Sequence, residues 1–265
     1  MNLLLSNDDG VHAPGIIALA NRLAELGHTV TVVAPDRERS GVGHALTTTS
    51  LHLKSGPFPS YDDRVKTFKC NGTPADCVML GVEIVVPEAE LVLSGINDGP
   101  NMGNDVFYSG TVAAAREGHF ENRWALAASL VSKRNETLHY KTAVYAVETL
   151  LANLNILFEG EKHPSLLNVN IPNVPLVELR GFKMASAGCR RYRDRIQTAE
   201  TPWGRTYWIQ GIPYGEEPEN SDVRVVAEGF VALTYLHYDT TDYSLNARID
   251  ENALKKIHEK NLQRE

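Results

Sequence analysis

Two adjacent aspartates, Asp8 and Asp9, close the apolar run of residues 3–5 in the stretch LLLSNDDG. Like charges side by side where a buried strand ends repel each other, and something must compensate them. A turn followed by a helix N-cap is one answer, with Asp9 accepting from backbone amides. A divalent cation is the other. It gains weight from the polar loops after two further predicted strands: Asp36 to Gly41 after one, with Ser40 among them, and Asn97 to Asp105 after the other. In a parallel sheet such loops share the carboxyl edge, where ligands bind. A carboxylate pair, a hydroxyl and an amide oxygen can then converge, and an all-oxygen set suits a hard cation such as Mg²⁺, Mn²⁺ or Ca²⁺.

A second element lies in YSGTVAAAREG, residues 108–118. Ser109, Gly110 and Thr111 precede an alanine-rich helix, whose first N–H groups and dipole favour an anion. Helix capping alone is the alternative there. NGTPADC (71–77) has a helix-start pattern: Thr73 as cap, Pro74 at the first helical position, and Asp76 three residues after the cap. His12 and His44 lie near the site loops and can donate protons, although a lone histidine usually serves another purpose. The stretch RRYRDR (190–195) reads as a solvated ribbon, with an electropositive flap over an anionic substrate as its alternative, Tyr192 or Trp203 stacking on a base. Neither G-x-x-x-x-G-K-[ST] nor G-x-G-x-x-G occurs, so ATP-motor and dinucleotide readings lose their usual support.

Periodicity supplies the scaffold for these residues. Strands are predicted at 2–6, 28–35, 64–70, 89–95, 124–130 and 165–172. Helices are predicted at 14–26, 72–83, 109–118 and 139–154. Their alternation predicts an α/β fold with a Rossmann-like, doubly wound, mostly parallel sheet. After about 180 the pattern changes to antiparallel ribbons, and NALKKIHEKNLQRE at the end predicts a charged amphipathic helix. The expected division is a catalytic core over 1–180, then 181–265 as a hairpin extension, a returning strand and a C-terminal helix. The loop at 35–63 is long, and loops that long in compact domains are often functional.

Bulk properties bound the class. A chain of 265 residues fits one large α/β domain, and 43% hydrophobic with 22% charged residues is ordinary for a globular protein. No apolar stretch reaches bilayer-spanning length. A net charge of −7 disfavours nucleic-acid polymers as partners. Cys70, Cys77 and Cys189 fit neither a disulfide framework nor a thiolate zinc site, so a cytoplasmic setting is expected.

In register from residue 1 to about 130, LLLSNDDG, APGI, VVAPDRERSGVG, NGTPADC and VLSGINDGPNMGNDVFYSGTVAAAREG together resemble the SurE family, the stationary-phase survival proteins. The resemblance implies a metal-dependent phosphomonoesterase acting on nucleoside 5′-monophosphates, with 3′-nucleotides and polyphosphate as further substrates of some members. It implies divalent-metal ligands at Asp8, Asp9, Ser40 and Asn97, holding one Mg²⁺ or Mn²⁺ per subunit. Catalytic roles fall to Asp8, Asp9 and Asn97. The phosphate would be held by Asn7, Gly41, Ser109, Gly110 and Thr111. It also implies a homodimer or homotetramer, assembled through the hairpin and the C-terminal element. Three rival readings stand beside it. A haloacid-dehalogenase-type phosphatase wants D-x-D, where this chain has adjacent acids. A de-N-acetylase wants histidine zinc ligands. A nucleotide-binding regulatory module would release no phosphate.

Overall fold

The computed structural model describes residues 1–133, 135–160, 164–209, 211–249 and 255. The predicted terminal helix lies outside the described residues, Lys255 apart.

β1 (Asn2–Ser6) sits mid-sheet, and its three leucines are fully buried. Alternation sends Leu3 and Leu5 into one apolar cluster and Leu4 into the other, so both faces of the strand are covered. Burying a leucine stabilises by roughly 2 kcal/mol, which makes this strand a fixed base for the acidic turn at its end. β2 (Thr29–Pro35), β4 (Lys66–Cys70), β5 (Leu91–Asp98), β6 (Trp124–Val131) and β7 (Leu166–Pro172) run parallel to it.

Along the sheet these six strands stand in the order β4-β2-β1-β5-β6-β7. That is the Rossmann order, in which the connections reverse direction between the first and fourth strands of the set and open a crevice there. Here the reversal falls between β1 and β5. Helices α1 (Pro14–Glu25) and α4 (Tyr140–Ala152) cover one face, while α2 (Pro74–Leu80) and α3 (Gly110–Phe120) cover the other.

Three elements extend the sheet beyond the predicted set. β3 (Leu53–Ser55) pairs antiparallel with β4 at one edge, inside the long 35–63 loop. β8 (Phe182–Met184) and β13 (Val231–Leu236) close the other edge, β13 antiparallel to β7 and parallel to β8. GFVALTYL, residues 229–236, is therefore a member of the main sheet; its Val231, Ala232 and Leu233 are buried, on both faces. β9 (Arg191–Arg193) with β12 (Ile212–Tyr214), and β10 (Ile196–Thr201) with β11 (Gly204–Ile209), make the predicted antiparallel hairpin.

Some boundaries move. The predicted 72–83 helix ends at Leu80 and widens into a π-turn over Gly81–Val85, because the run continues without a stop residue. A short helix, Asp222–Ala227, capped by Ser221, packs under β13; six residues are too few for a strong periodic signal.

Gly15, in the first turn of α1, shows how tightly the crevice is built. A Cβ there would lie 2.1 Å from the Ile96 carbonyl oxygen, one residue before Asn97. Neither backbone can yield without moving α1 off β5. Gly15→Ala is expected to cost about 2–3 kcal/mol, read as a lower urea midpoint at unchanged slope.

Candidate active site

Asn7 forms the exit from β1. Its Nδ2 donates to the Gly10 carbonyl at 3.0 Å, and its Oδ1 accepts from the Gly10 N–H at 3.1 Å. The side chain is fully buried and engaged within this turn, which aims the next two residues. The Asn7 side chain, expected at a phosphate, has a turn-forming role in this structure.

Asp8 points toward the α2–α3 layer. Its carboxylate accepts from the Thr111 hydroxyl, and the Gly110 and Thr111 amides further favour its charged form. Gly110 permits this approach: a Cβ there would sit 2.7 Å from the Asp8 Cβ and 3.1 Å from the Pro74 ring. Ser109 caps α3 by accepting from the Val112 N–H at 3.0 Å. The start of α3, expected to cap its helix or to favour a phosphate, thus already faces one internal anion, Asp8.

Asp9 lies on the other side of the turn. Its Oδ2 accepts from the Asp98 N–H at 3.3 Å, beside Asn97. It borders a cleft of about 380 Å³ lined also by His12, Arg37, Glu38, Asp98 and Tyr140. The Asp8 carbonyl accepts from the Arg39 N–H at 2.7 Å, beside Ser40. So a backbone bond ties the Asp8–Asp9 turn to the Ser40 loop, and the Asp9 carboxylate ties it to the end of β5. Asn97 is the penultimate residue of β5 itself and is buried. Its Nδ2 donates to Gly99 O at 2.9 Å, leaving Oδ1 for a ligand. Ser40 and Gly41 are exposed, and the Ser40 hydroxyl donates to Glu38 at 2.8 Å.

The electrostatics identify what the pair lacks. Burial raises the Asp8 carboxyl above its ordinary value, against the pull of Thr111. Burial raises Asp9 to about 7, with the Asp8 charge as the next cause and Asp98 and Glu38 adding to it. A buried carboxylate and a partly buried one repel each other, with no cationic side chain among these causes. The donor chemistry fits a hard divalent cation: carboxylate, hydroxyl and amide oxygens. Among the described residues no group of three His, Cys, Asp or Glu side chains is placed to hold a metal, so Asp8 and Asp9 would need neutral oxygens such as those of Ser40 and Asn97.

The strap over residues 35–63 is held by contacts that its composition hides. Asp76 closes the predicted capping box with Thr73 and also accepts from the Thr47 N–H at 3.0 Å. Thr73 donates to Ala45 O at 2.7 Å. NGTPADC is structural, as expected, but it also pins the loop that carries Ser40. His44 is taken up by Glu117, Nε2 to Oε2 at 2.6 Å, whereas His12 remains exposed in the Asp9 cleft.

RRYRDR departs from the solvated-ribbon expectation at its start. Arg190 and the Tyr192 hydroxyl both bind the Asp105 carboxylate at 2.5 Å, so Tyr192 is engaged in packing, while Trp203 stays 93% exposed at the hairpin tip. Sequence reasoning misses Asp222: fully buried, it accepts from the Gly103 and Gly188 N–H groups at 2.8 and 2.9 Å and ties the site loop to the hairpin base. A short polar helix start holds no spacing that marks such a link.

Thr111→Val removes the hydroxyl that orients Asp8 while keeping shape. Divalent-metal affinity is expected to fall about tenfold in a calorimetric titration with Mn²⁺, the scale on which partners of metal ligands act.

Comparison with known proteins agrees along the chain. The family model described as Survival protein SurE matches residues 3–194. A 5′-nucleotidase SurE of Synechococcus sp. (strain JA-3-3Ab) is 43% identical over 251 residues, covering 92% of this chain and 94% of that protein. A 5′/3′-nucleotidase SurE of Cronobacter sakazakii is 45% identical over 249 residues, covering 92% and 93%. The crystal structure of the SurE protein from Aquifex aeolicus superposes with a TM-score of 0.78 at 39% identity, covering 94% of this chain and 98% of that one. The chain belongs to the SurE family.

Proposed function

We propose that this protein is a divalent-metal-dependent 5′-nucleotidase, releasing phosphate from nucleoside 5′-monophosphates and, as the Cronobacter relative's name suggests, from 3′-monophosphates. One observation carries the reading: an adjacent carboxylate pair, Asp8 buried and Asp9 partly buried, in which the Asp8 charge raises the Asp9 carboxyl, at the reversal point of a Rossmann sheet beside the start of α3. Asp8, Asp9, Ser40 and Asn97 would hold one Mg²⁺ or Mn²⁺ per subunit. When bound, that cation supplies charge neutralisation for the phosphoryl oxygens and lowers the pKa of water.

The chain's own residues do the rest. Thr111 and the start of α3 fix Asp8, so Asp8 serves as an anchor. Asp9 borders the open cleft with His12 and takes the proton from the attacking water. Ser109 and the Gly41 loop hold the phosphoryl oxygens by N–H and hydroxyl donors, beside Gly110 and Thr111, whose own donors are turned to Asp8. Residues 1–180 are the catalytic core. The hairpin beyond it displays Trp203, Tyr207, Ile209 and Ile212, which supports a homodimer or homotetramer built through 181–265. No described helix is long and apolar enough to cross a membrane, and the free Cys70, Cys77 and Cys189 suit a reducing cytoplasm.

The test is phosphate release from a panel of nucleoside 5′- and 3′-monophosphates with Mg²⁺, Mn²⁺, Zn²⁺ or chelator. Release that needs Mg²⁺ or Mn²⁺ is expected. Absence of release with every metal would leave a binding module instead.

A further inference from the structure

Phe107 and Tyr108 are each 62% exposed, yet their segment is otherwise largely buried: Asn101, Met102, Gly103 and Val106 before them, and Ser109 through Ala115 after them. Burial of one aromatic ring removes some 150–250 Å² from water, so two adjacent exposed rings forgo a large gain unless a ligand covers them. They stand immediately before Ser109, the cap of α3. The Tyr108 carbonyl accepts from the Gly43 N–H at 3.0 Å, which ties the pair to the loop carrying Ser40 and Gly41.

The segment is held rigidly. Asp105 is gripped by Arg190 and Tyr192, and the Gly103 N–H by Asp222. The Asn101 backbone is bonded on both sides by Asn170, N–H to Oδ1 at 3.0 Å and Nδ2 to carbonyl at 2.9 Å. A platform with little freedom to lose on binding is what stacking affinity requires.

The cleft beside Asp9 presents Asp36, Glu38 and Asp98 as well, against Arg37. The aromatic pair carries no charge and adjoins the anion-favouring start of α3. We infer that Phe107 and Tyr108 form the stacking platform for the nucleobase, with Tyr108 its main face; this rests on the nucleotidase reading above. Any base has a π-face, so such a platform gives broad base tolerance with discrimination against esters that lack a base.

The experiment compares kcat/KM for AMP with kcat/KM for ribose 5-phosphate in wild type, Tyr108→Leu, Tyr108→Trp and Phe107→Ala. Tyr108→Leu is expected to reduce the preference for AMP about tenfold, through KM, and Tyr108→Trp to retain it. Phe107→Ala should give a smaller loss in the same ratio. Equal losses on both substrates, or an unchanged ratio in Tyr108→Leu, overturn the platform. Wild-type protein that releases phosphate from neither ester overturns the nucleotidase reading instead. Urea midpoints of the variants separate misfolding from lost stacking.

Discussion

Asp8→Asn is expected to lower metal-supported phosphate release from AMP by about 10³-fold or more while leaving the protein folded. The reasoning starts from position. Asp8 is buried at the exit of a strand covered on both faces, and Thr111 holds its carboxylate in one orientation. An asparagine oxygen can still accept from Thr111, so the local packing survives. What disappears is one of two negative charges at the proposed cation site. A bound cation contributes several kcal/mol of charge stabilisation, and about 4 kcal/mol corresponds to 10³ in rate. The buried charge itself costs free energy without a cation, so the metal-free variant should unfold at equal or higher urea concentration than metal-free wild type. Two measurements decide: phosphate release at saturating Mn²⁺, and the thermal shift caused by Mn²⁺. Near-wild-type release in Asp8→Asn would remove Asp8 from the site. Lost release with an intact Mn²⁺ shift would place the metal elsewhere.

Much of this site is legible in sequence because its parts lie at strand ends. Once LLLS, VVAP and LVLS are recognised as strands of one parallel sheet, the residues after them must share an edge. The reversal point between β1 and β5 then comes from strand order. What the sequence conceals are contacts made by single polar residues across long separations. Asp222 reaches Gly103 across 119 positions, and Asp105 meets Arg190 across 85. Neither sits in a periodic pattern, and a carboxylate accepting backbone N–H groups leaves no mark on spacing. The role of Asn7 is hidden for a different reason. An asparagine before a turn suits a ligand contact and an Asx-type turn equally, and only the paired bonds to Gly10 show the turn. Length alone marks the strap over 35–63 as functional. That it is ordered depends on Asp76 and Thr73, which already have a complete local role as a capping box.

The metal-free protein should lose stability as pH rises from about 4 to about 7, and divalent cations should reverse the trend. Asp9 carries the sign. Its carboxyl is raised from 3.8 to about 7 in the folded protein, with burial as the first cause and Asp8 as the second. Between those values the folded state holds a proton that the unfolded state has released. Stability therefore falls with rising pH across this window, by up to about 4 kcal/mol for this one group. Asp8, also raised, adds in the same direction. Other groups pull the opposite way. His28 and His119 are lowered by burial, so they cost stability as pH falls through their range, and the lowered Cys70 thiol, near 7, adds stability as pH rises. The informative quantity is accordingly the difference between wild type and Asp9→Asn, measured by urea unfolding in chelator from pH 5 to 8. Asp9→Asn should be more stable than wild type at pH 8, and the gap should close toward pH 5. In saturating Mn²⁺ the wild type should gain more at pH 8 than at pH 5.5, because the cation must displace the proton on Asp9 at the lower pH. A gap between the two proteins that does not change with pH would mean that Asp9 is not a strained carboxylate, and that its neighbour Asp8 is already compensated within the fold.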